Sequence, residues 1–353
     1  MIRTLLKEVG RGKRGARDLT YEEALEAADW IITRKATPAQ IGAFFMAERV
    51  KMESVDELQA FVKVCRDHAY RSPIQQGIDC AGPYDGRKKT FFATFATSFL
   101  LASAGLPVTL HGTASLPPKW GITLHDLLAE LGIHMSQLSR EQALEAAART
   151  GILYVSAEDW CPPLKELRPI REELAMRTVL NTAEKLADYS QSPYIVFGVY
   201  HNTVFERMGN LLVNLNYRKG LIVQGTEGSE DLFIERPTRT YLVENGEPRL
   251  QIIDPDTYGL ETPLPADVKW NAAEQIRVTE SVLRGEAHLG YVNQVLLNGA
   301  VRLHLAEKVP SIEEGLYTCK SLLESGAAWD SYQQWKVAMS PEAATNPIEP
   351  VKL

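Results

Sequence analysis

The residues best suited to binding an anion form a glycine-containing loop ahead of a helical stretch. Free backbone N–H groups and the positive end of a helix attract anions at such a junction. Three consecutive bases in the loop would add point charges and a bidentate clamp. The pattern predicts phosphate binding, and a surface turn with solvated bases is the alternative. The candidate ligands are Gly82, Asp85, Gly86, Arg87, Lys88, Lys89, Thr90 and Thr94.

Composition and terminal sequence limit the classes of protein that this chain could be. At 353 residues it is long enough for a large core and for more than one structural lobe. It has no apolar run near the roughly 20 residues of a membrane span and no N-terminal signal peptide. We therefore expect a cytoplasmic protein without a membrane partner. Its four cysteines lie far apart without a Cys-x-x-Cys pair, so we expect buried thiols rather than a zinc or redox motif.

The order of expected helices and strands indicates the fold class. The first part of the chain has helical patterns alone, and a capping box of Thr20 and Glu23 begins one helix. After Ser72-Pro73, short apolar runs alternate with helical stretches, which favours a parallel sheet covered by helices. The expected strands are residues 108–110, 152–155, 194–199 and 220–223, with a later hairpin that turns at Asn245-Gly246.

These patterns predict an α/β protein with a small N-terminal helical domain and a larger α/β domain that has a central, mainly parallel sheet. We expect the helical domain at residues 1–72, completed by a helical segment near 168–188. The α/β domain would cover residues 73–167 and 189–340. Residues 341–353 contain three prolines and no periodicity, so we expect an extended or loose tail.

An ordered series of motifs extends over nearly the whole chain. After the glycine loop come a run ending in His111-Gly112 and then segments 115–119, 126–132, 169–181, 223–232 and 295–300. In this order the motifs resemble the anthranilate phosphoribosyltransferase family. The resemblance implies a cleft between the two domains that holds phosphoribosyl pyrophosphate and Mg²⁺.

The resemblance also implies roles for individual residues. Glu230 and Asp231 match, in reversed order, a carboxylate pair that holds Mg²⁺, and a solvated acidic turn is the alternative. Arg171 matches an arginine that contacts the carboxylate of anthranilate, and an ion pair on the helix surface is the alternative. The other matched substrate-binding candidates are His111, Gly112, Ser115 and Lys119; a lone histidine such as His111 is more often structural than catalytic.

The phosphate-binding loop departs from the family pattern. Gly82-Pro83-Tyr84-Asp85-Gly86 replaces Gly-Thr-Gly-Gly-Asp, so a proline removes a backbone donor and a tyrosine adds bulk. Phe92 and Phe95 stand where the family has polar phosphate ligands, and Leu110 replaces a lysine. These changes predict weak binding of phosphoribosyl pyrophosphate and slow or absent transfer to anthranilate.

A basic cluster near the N-terminus leaves a second function open. The N-terminal segment of the chain, residues 8–20, is similar to that of a divergent branch of the family that dimerises and binds nucleic acid without sequence preference. The net charge of −7 does not favour that partner, because phosphate contacts require clustered bases. The nucleic-acid candidates are Arg11, Lys13, Arg14 and Arg17.

Two functions follow from these observations. The first is a divergent phosphoribosyl or glycosyl transferase that binds a phosphorylated sugar and acts poorly on anthranilate. The alternative is a non-catalytic protein that binds nucleic acid in the same cleft. Fold alone does not decide between them. In either case we expect a homodimer, because short helices such as residues 38–50 have exposed apolar faces. The family resemblance implies that the dimer contact lies in the helical domain.

Overall fold

A computed structural model gives the positions of residues 2–12 and 14–340. The expected tail at 341–353 and the candidate Lys13 lie outside these residues. In this part of the chain the α-helices are α1 Ile2–Val9, α2 Tyr21–Ile32, α3 Pro38–Lys51, α4 Val55–His68, α5 Ala93–Ser103, α6 Leu124–Glu130, α7 Arg140–Thr150, α8 Ala157–Trp160, α9 Pro162–Leu174, α10 Leu180–Ala183, α11 Phe205–Asn214, α12 Ala272–Leu283, α13 Leu289–Leu305, α14 Ile312–Glu324 and α15 Ala327–Ala338. The strands are β1 Ile78–Ala81, β2 Val108–Gly112, β3 Ile152–Ser156, β4 Tyr194–Gly198, β5 Lys219–Val223, β6 Thr238–Glu244 and β7 Glu247–Ile253.

The strands form one sheet of seven in the order β3-β2-β1-β4-β5-β6-β7. Strands β1 to β5 pair in parallel, and β6 and β7 add an antiparallel edge. The four N-terminal helices α1–α4 precede the sheet. The expected fold class, a small helical domain followed by a larger α/β domain with a mainly parallel sheet, is therefore confirmed.

The apolar runs located most of the strands. The four expected strands agree with β2 to β5 within two residues at each end. In the hairpin between β6 and β7, Asn245 and Gly246 have φ of 54° and 78°, as a type I′ turn requires. Strand β1 was not expected, because it has four residues and Asp79 interrupts its apolar run.

Two hydrophobic cores lie on opposite faces of the sheet, as alternation of side chains along each strand requires. One face packs against α5, α6 and α12–α15. The other face packs against α11 and is continuous with the core of α1–α4, α9 and α10. Helix α9 contacts α2 and α3, and α10 contacts α4. The segment after β3 thus joins the helical lobe, while the residue limits of the two domains stay a prediction.

Local signals in the sequence agree with the structure at several points. Thr20 and Glu23 form the expected reciprocal capping box at the start of α2. All four cysteines are buried, free thiols, as expected. Among the described residues, no helix has the length and apolar composition to cross a bilayer.

One ionisable group is buried in the helical lobe without a hydrogen bond. Glu48 of α3 is fully buried, and neither of its carboxyl oxygens has a partner among the described residues. Lys51 lies 3.6 Å away but also contacts Glu57 at 2.6 Å. Burial, together with the charge of Glu57, raises the pKa of Glu48 to about 9. The folded protein therefore retains this proton at neutral pH.

Substituting Glu48→Gln should stabilise the protein at alkaline pH. The unfolded chain ionises Glu48 from about pH 4.3, whereas the folded chain keeps the proton until its raised pKa. The contribution of Glu48 to the free energy of unfolding is therefore fully present below the pKa of the unfolded chain. It falls as pH rises toward the pKa of the folded chain, by up to about 1.4 kcal/mol per pH unit. Urea denaturation should show little effect of the substitution at pH 5 and a clear gain at pH 8. The exposed Glu145→Gln is the control, and an equal effect of Glu48→Gln at both pH values would contradict the assignment.

Candidate functional site

A cleft of about 880 Å³ lies where the helical lobe meets the carboxyl ends of β1, β4 and β5. Ligands of open α/β sheets bind at this edge, where the strand order changes direction, here between β1 and β4. The charged residues that line the cleft are Arg49, Glu53, Asp85, Lys89, Lys119, Arg177, Lys185, Arg207 and Glu227.

Arg87 is not the exposed base that its place beside Lys88 and Lys89 suggests. Its side chain is buried, and its guanidinium donates to Asp231 and, at 3.1 Å, to Glu230. The guanidinium also lies over the ring of Phe92, with 4.2 Å between its central carbon and the ring centroid. A solvated turn is therefore the wrong description of Arg87 and of the acidic pair, although Lys88 and Lys89 themselves are exposed.

A second arginine completes the charge balance around the acidic pair. Arg302 of α13 donates to the Asp231 carboxylate at 3.3 Å, to the Glu230 carbonyl at 3.1 Å and to the Thr94 hydroxyl at 2.7 Å. Burial alone would raise the pKa of Asp231, but Arg87 and Arg302 hold it below its ordinary value. Thr94, a candidate phosphate ligand, therefore has its hydroxyl oxygen engaged by Arg302.

In this arrangement the acidic pair does not fit a magnesium ion. Mg²⁺ needs carboxylate oxygens that are free to coordinate it, and here two guanidinium groups already contact Glu230 and Asp231. The part of the chain that the structure describes has no group of three His, Cys, Asp or Glu side chains able to hold a metal. Mg²⁺ binding thus stays a prediction that these contacts disfavour.

The glycine at the start of the loop brings the backbone close to the acidic pair. A Cβ atom at Gly82 would lie 2.5 Å from a carboxylate oxygen of Glu230. No other residue could occupy this position without displacing that side chain. Gly82 therefore serves the packing of the loop against Glu230.

Two phenylalanines that replace polar family residues belong to the core. The Phe92 N–H donates to the side chain of Gln275 at 2.9 Å. Phe95 is fully buried and packs edge-on against Phe99 and Trp335. Neither phenylalanine side chain offers a polar ligand to phosphate, and the expected weakening of the phosphate site stays a prediction.

His111 lies in a buried series of polar groups. Its Nε2 is 2.8 Å from a carboxylate oxygen of Asp79, and its Nδ1 is 2.7 Å from the hydroxyl of Tyr84. That hydroxyl also lies 3.3 Å from the carbonyl of Glu184. All these side chains are buried. The contacts connect β1, β2 and the loop after β1, which fits a structural role for His111.

Arg171 forms a buried ion pair rather than one on the helix surface. Its guanidinium donates to both carboxylate oxygens of Glu184, at 2.6 and 2.9 Å. Both side chains are almost fully buried, so the alternative of an ion pair on the helix surface is wrong. A carboxylate ligand could reach Arg171 only by displacing Glu184, at the cost of a bidentate contact.

Lys119 and Asp85 are brought together in the cleft. Asp85 is buried and contacts Lys119 at 3.0 Å and Arg177 at 2.8 Å. Lys119 also donates to the carbonyl of Glu227 at 2.7 Å. One carboxylate therefore faces two cations at this corner of the cleft.

The carboxylate of Glu227 occupies backbone donors of the glycine loop. It accepts hydrogen bonds from the N–H groups of Lys88 and Lys89 at 2.9 and 3.0 Å, and from the Thr90 hydroxyl at 3.2 Å. Free donors of this kind attract anions. In this structure the anion is the protein's own side chain.

The remaining matched residues support the shape of the site. Gly86 has φ of 77°, and a Cβ atom there would lie 2.5 Å from the backbone of Gly121, so only glycine fits. Gly112 ends β2. The carbonyl of Ser115 accepts a bond from Arg168 at 3.1 Å.

The N-terminal basic cluster is largely paired within the helical lobe. Arg11 contacts Glu8 at 2.6 Å, and Arg17 contacts Glu8 at 3.1 Å and Glu23 at 2.7 Å. Arg14 is exposed and makes no ion pair with any described residue. These contacts reduce the positive charge that the cluster could present to a nucleic acid.

The sequence did not single out three cations that shape the site. Arg302 is a lone base among the apolar residues of α13, and such a base is a usable signal of a buried ion pair. Arg177 and Lys185 lie in the segment near 168–188 that was expected to complete the helical domain. The partners of these two cations could not be identified from the sequence, because the contacts join residues that lie far apart in the chain.

Substituting Arg87→Ala should destabilise the fold strongly. The change leaves two buried carboxylates with Arg302 as their remaining cation, and breaking one side of a buried ion pair costs about 3–5 kcal/mol. Urea denaturation at neutral pH would measure the loss. The matched control is its exposed neighbour, Lys88→Ala, with an effect within about 0.5 kcal/mol. Equal stabilities of the two variants would disprove the structural role of Arg87.

Comparison with known proteins agrees with this architecture. The α/β domain of a glycosyl transferase family matches residues 76–329, and the helical bundle domain of that family matches residues 3–69. An anthranilate phosphoribosyltransferase of Thermomicrobium roseum is 33% identical over 345 residues, which cover 96% of this chain and 97% of that protein. A second, from Acetivibrio thermocellus, is 30% identical and covers 93% of this chain and 94% of its own length.

Solved structures show the same fold. Anthranilate phosphoribosyltransferase from Thermus thermophilus superposes with a TM-score of 0.82 at 24% identity, covering 95% of this chain and 99% of that one. The enzyme from Saccharomyces cerevisiae, in complex with phosphoribosyl pyrophosphate and Mg, gives a TM-score of 0.79 at 18% identity, covering 96% and 97%. Together with the sequence matches, these findings confirm the family resemblance: the chain belongs to the glycosyl transferase family that includes the anthranilate phosphoribosyltransferases.

Proposed function

We propose that this chain is a divergent phosphoribosyl or glycosyl transferase that binds a phosphorylated sugar in the cleft and acts poorly on anthranilate. The observation that carries the proposal is the internal pairing of the acidic pair: Glu230 and Asp231 contact Arg87 and Arg302. The pairing of Arg171 with Glu184 supports it, because an anthranilate carboxylate would have to compete with that contact.

The cleft residues suit part of the chemistry of such a transfer. A departing pyrophosphate must be neutralised while an oxocarbenium-like sugar meets its acceptor, and the protein mainly positions and stabilises the reacting groups. Lys89, Lys119 and Arg177 line the cleft and would contact phosphate oxygens. Mg²⁺ bound to the substrate would supply further charge neutralisation.

Energetics explain why binding should be weak. Each charge-assisted hydrogen bond to phosphate contributes roughly 1.5–3 kcal/mol. Pro83 has no N–H group, Phe92 and Phe95 provide no polar side-chain atom, and Arg87 is turned toward the acidic pair. Exposed lysines compensate incompletely, because ordering a flexible side chain costs conformational entropy.

Titration calorimetry with phosphoribosyl pyrophosphate, with and without Mg²⁺, tests the proposal directly. We expect binding weaker than micromolar and no steady transfer to anthranilate. The Thermomicrobium roseum enzyme, assayed in parallel, is the matched control for ligand quality and assay sensitivity. Micromolar binding or steady anthranilate turnover would refute the proposed divergence.

A second binding experiment distinguishes the alternative function, nucleic-acid binding, from the proposed transferase. The exposed Lys88 and Lys89 beside the cleft are the observation that favours nucleic acid. A labelled single-stranded oligonucleotide, followed by fluorescence anisotropy, should bind weakly if the transferase proposal is correct. Tight, strongly salt-dependent binding together with no binding of the sugar phosphate would instead support the nucleic-acid protein.

We also propose that the chain forms a homodimer through its helical lobe. An apolar groove of about 730 Å³ lies between α1 and α3, lined in part by Leu6, Val9 and Ala43. Met46 and Val50 on its rim are 48% and 57% exposed. Large exposed apolar patches mark interaction surfaces, and a two-fold dimer would bury the same patch on both chains.

The double substitution Met46→Glu and Val50→Glu should convert the dimer to a monomer. Buried like charges at a two-fold contact face each other and are desolvated, so association should weaken by at least 100-fold. Sedimentation velocity at micromolar concentrations would measure the change. Val337→Glu, which alters an exposed apolar residue of α15, is the control. A wild-type monomer under these conditions would rule out the proposed dimer.

A further inference from the structure

A buried lysine lies on the wall of the cleft. Lys185 follows α10 in a short 3₁₀ turn, Glu184–Leu186, and its side chain is 7% exposed. Its Nζ donates to the carbonyl of Gly198 at 2.8 Å and lies 3.8 Å from the ring centroid of Phe197. Strand β4 thus holds the ammonium group beside the cleft volume.

This ammonium group lacks a counter-ion. Among the described residues, Lys185 makes one hydrogen bond and no ion pair, although an ammonium has three donors. A buried charge is normally paired or fully hydrogen-bonded. The ammonium faces the ring of Phe197, and two of its donors have no hydrogen-bond partner among the described residues, at a position that borders the cleft.

The nearby carboxylates are already paired with arginine or lysine. Asp85 contacts Lys119 and Arg177. Glu184, the preceding residue, contacts Arg171, and Glu230 contacts Arg87.

The other groups around the turn do not neutralise Lys185 either. Helix α4 contributes Arg66, whose guanidinium donates to the carbonyl of Leu186 at 2.9 Å. Tyr84 is uncharged at neutral pH, because burial raises its pKa well above the ordinary value. Strand β4 contributes a carbonyl and an aromatic ring. None of these groups is a carboxylate that contacts Lys185, and Asp188 contacts Arg66 and Arg71 instead.

We propose that Lys185 and Arg177 form a subsite that binds the phosphate group of a small phosphorylated ligand. Lys185 supplies a fixed, desolvated ammonium, and Arg177, whose side chain is 33% exposed, supplies a guanidinium suited to two phosphate oxygens. Lys119, which lines the same cleft and shares Asp85 with Arg177, adds a third cation. The subsite rests on the proposed function, since it assigns a place to the phosphate of that ligand.

Binding at this subsite should take up a proton. Burial, with a smaller contribution from Arg177, lowers the pKa of Lys185 to about 7. A bound phosphate favours the charged ammonium and raises that pKa. Affinity should thus fall as pH rises above 7, by up to tenfold per unit in the limit of complete proton uptake.

Calorimetric titration with inorganic pyrophosphate at pH 6.5, 7.5 and 8.5 tests the subsite without any sugar or acceptor. We expect Lys185→Gln to weaken binding at least 10-fold at pH 6.5. Lys185→Arg keeps the cation, so its affinity should stay within about threefold of wild type. Because arginine does not titrate in this range, the wild type should lose affinity with pH more steeply than this variant. Changes in the ionisation of pyrophosphate affect both proteins equally.

Controls separate the subsite from general effects on charge and folding. Lys320→Gln removes an exposed lysine on α14 and should bind like wild type. Arg177→Gln alters the other half of the subsite at a partly exposed position, and should weaken binding even if a Lys185 variant fails to fold. Thermal melting of each variant would identify such a failure.

Three results would overturn the subsite: no pyrophosphate binding by the wild type at millimolar concentration, unchanged affinity in both Lys185→Gln and Arg177→Gln, or identical pH dependence in wild type and a folded Lys185→Arg. Pyrophosphate binding that depends on Lys185, without binding of phosphoribosyl pyrophosphate, would retain the subsite and refute the proposed transferase alone.

Discussion

The site depends on the burial of two neighbouring carboxylates beside two guanidinium groups. Glu230 and Asp231 follow β5, Arg87 follows β1, and Arg302 belongs to α13. Since an unpaired charge in a protein interior is costly, these three segments must fold together. The contact also determines the shape of the cleft, because the loop after β1 is held against the loop after β5.

The pairing of these buried carboxylates with two guanidinium groups explains how the chain keeps the fold of the family although its glycine loop is altered. Guanidinium groups neutralise carboxylates as a metal ion would, but they are part of the chain and remain in place without a ligand. Glu227 likewise satisfies the backbone donors of Lys88 and Lys89. At the acidic pair and at the glycine loop the charged groups are therefore paired within the protein, and a ligand at these two places must exchange contacts rather than fill vacant ones.

The sequence predicted the architecture better than the site. Period and capping residues located the strands β2 to β5, the hairpin and the start of α2, because these signals are local. The order of motifs indicated the family. Charged residues were harder to interpret, because the residue type alone does not distinguish a buried arginine from a solvated one. Arg87 was expected to bind phosphate or, as the alternative, to lie in a solvated turn, and its actual partners lie more than a hundred residues away in the chain.

The two cores have a consequence for the order in which the chain can fold. The core of the helical lobe includes residues from Ile2 to Val243, and the central strand β1 pairs with β4, so that Ile78 lies opposite Tyr194. Closing so long a loop is entropically costly and slow. During synthesis the N-terminal helices leave the ribosome first, but their apolar faces stay exposed until the strands behind them arrive. The part of the chain that is synthesised first is thus among the last to have its apolar surface fully enclosed.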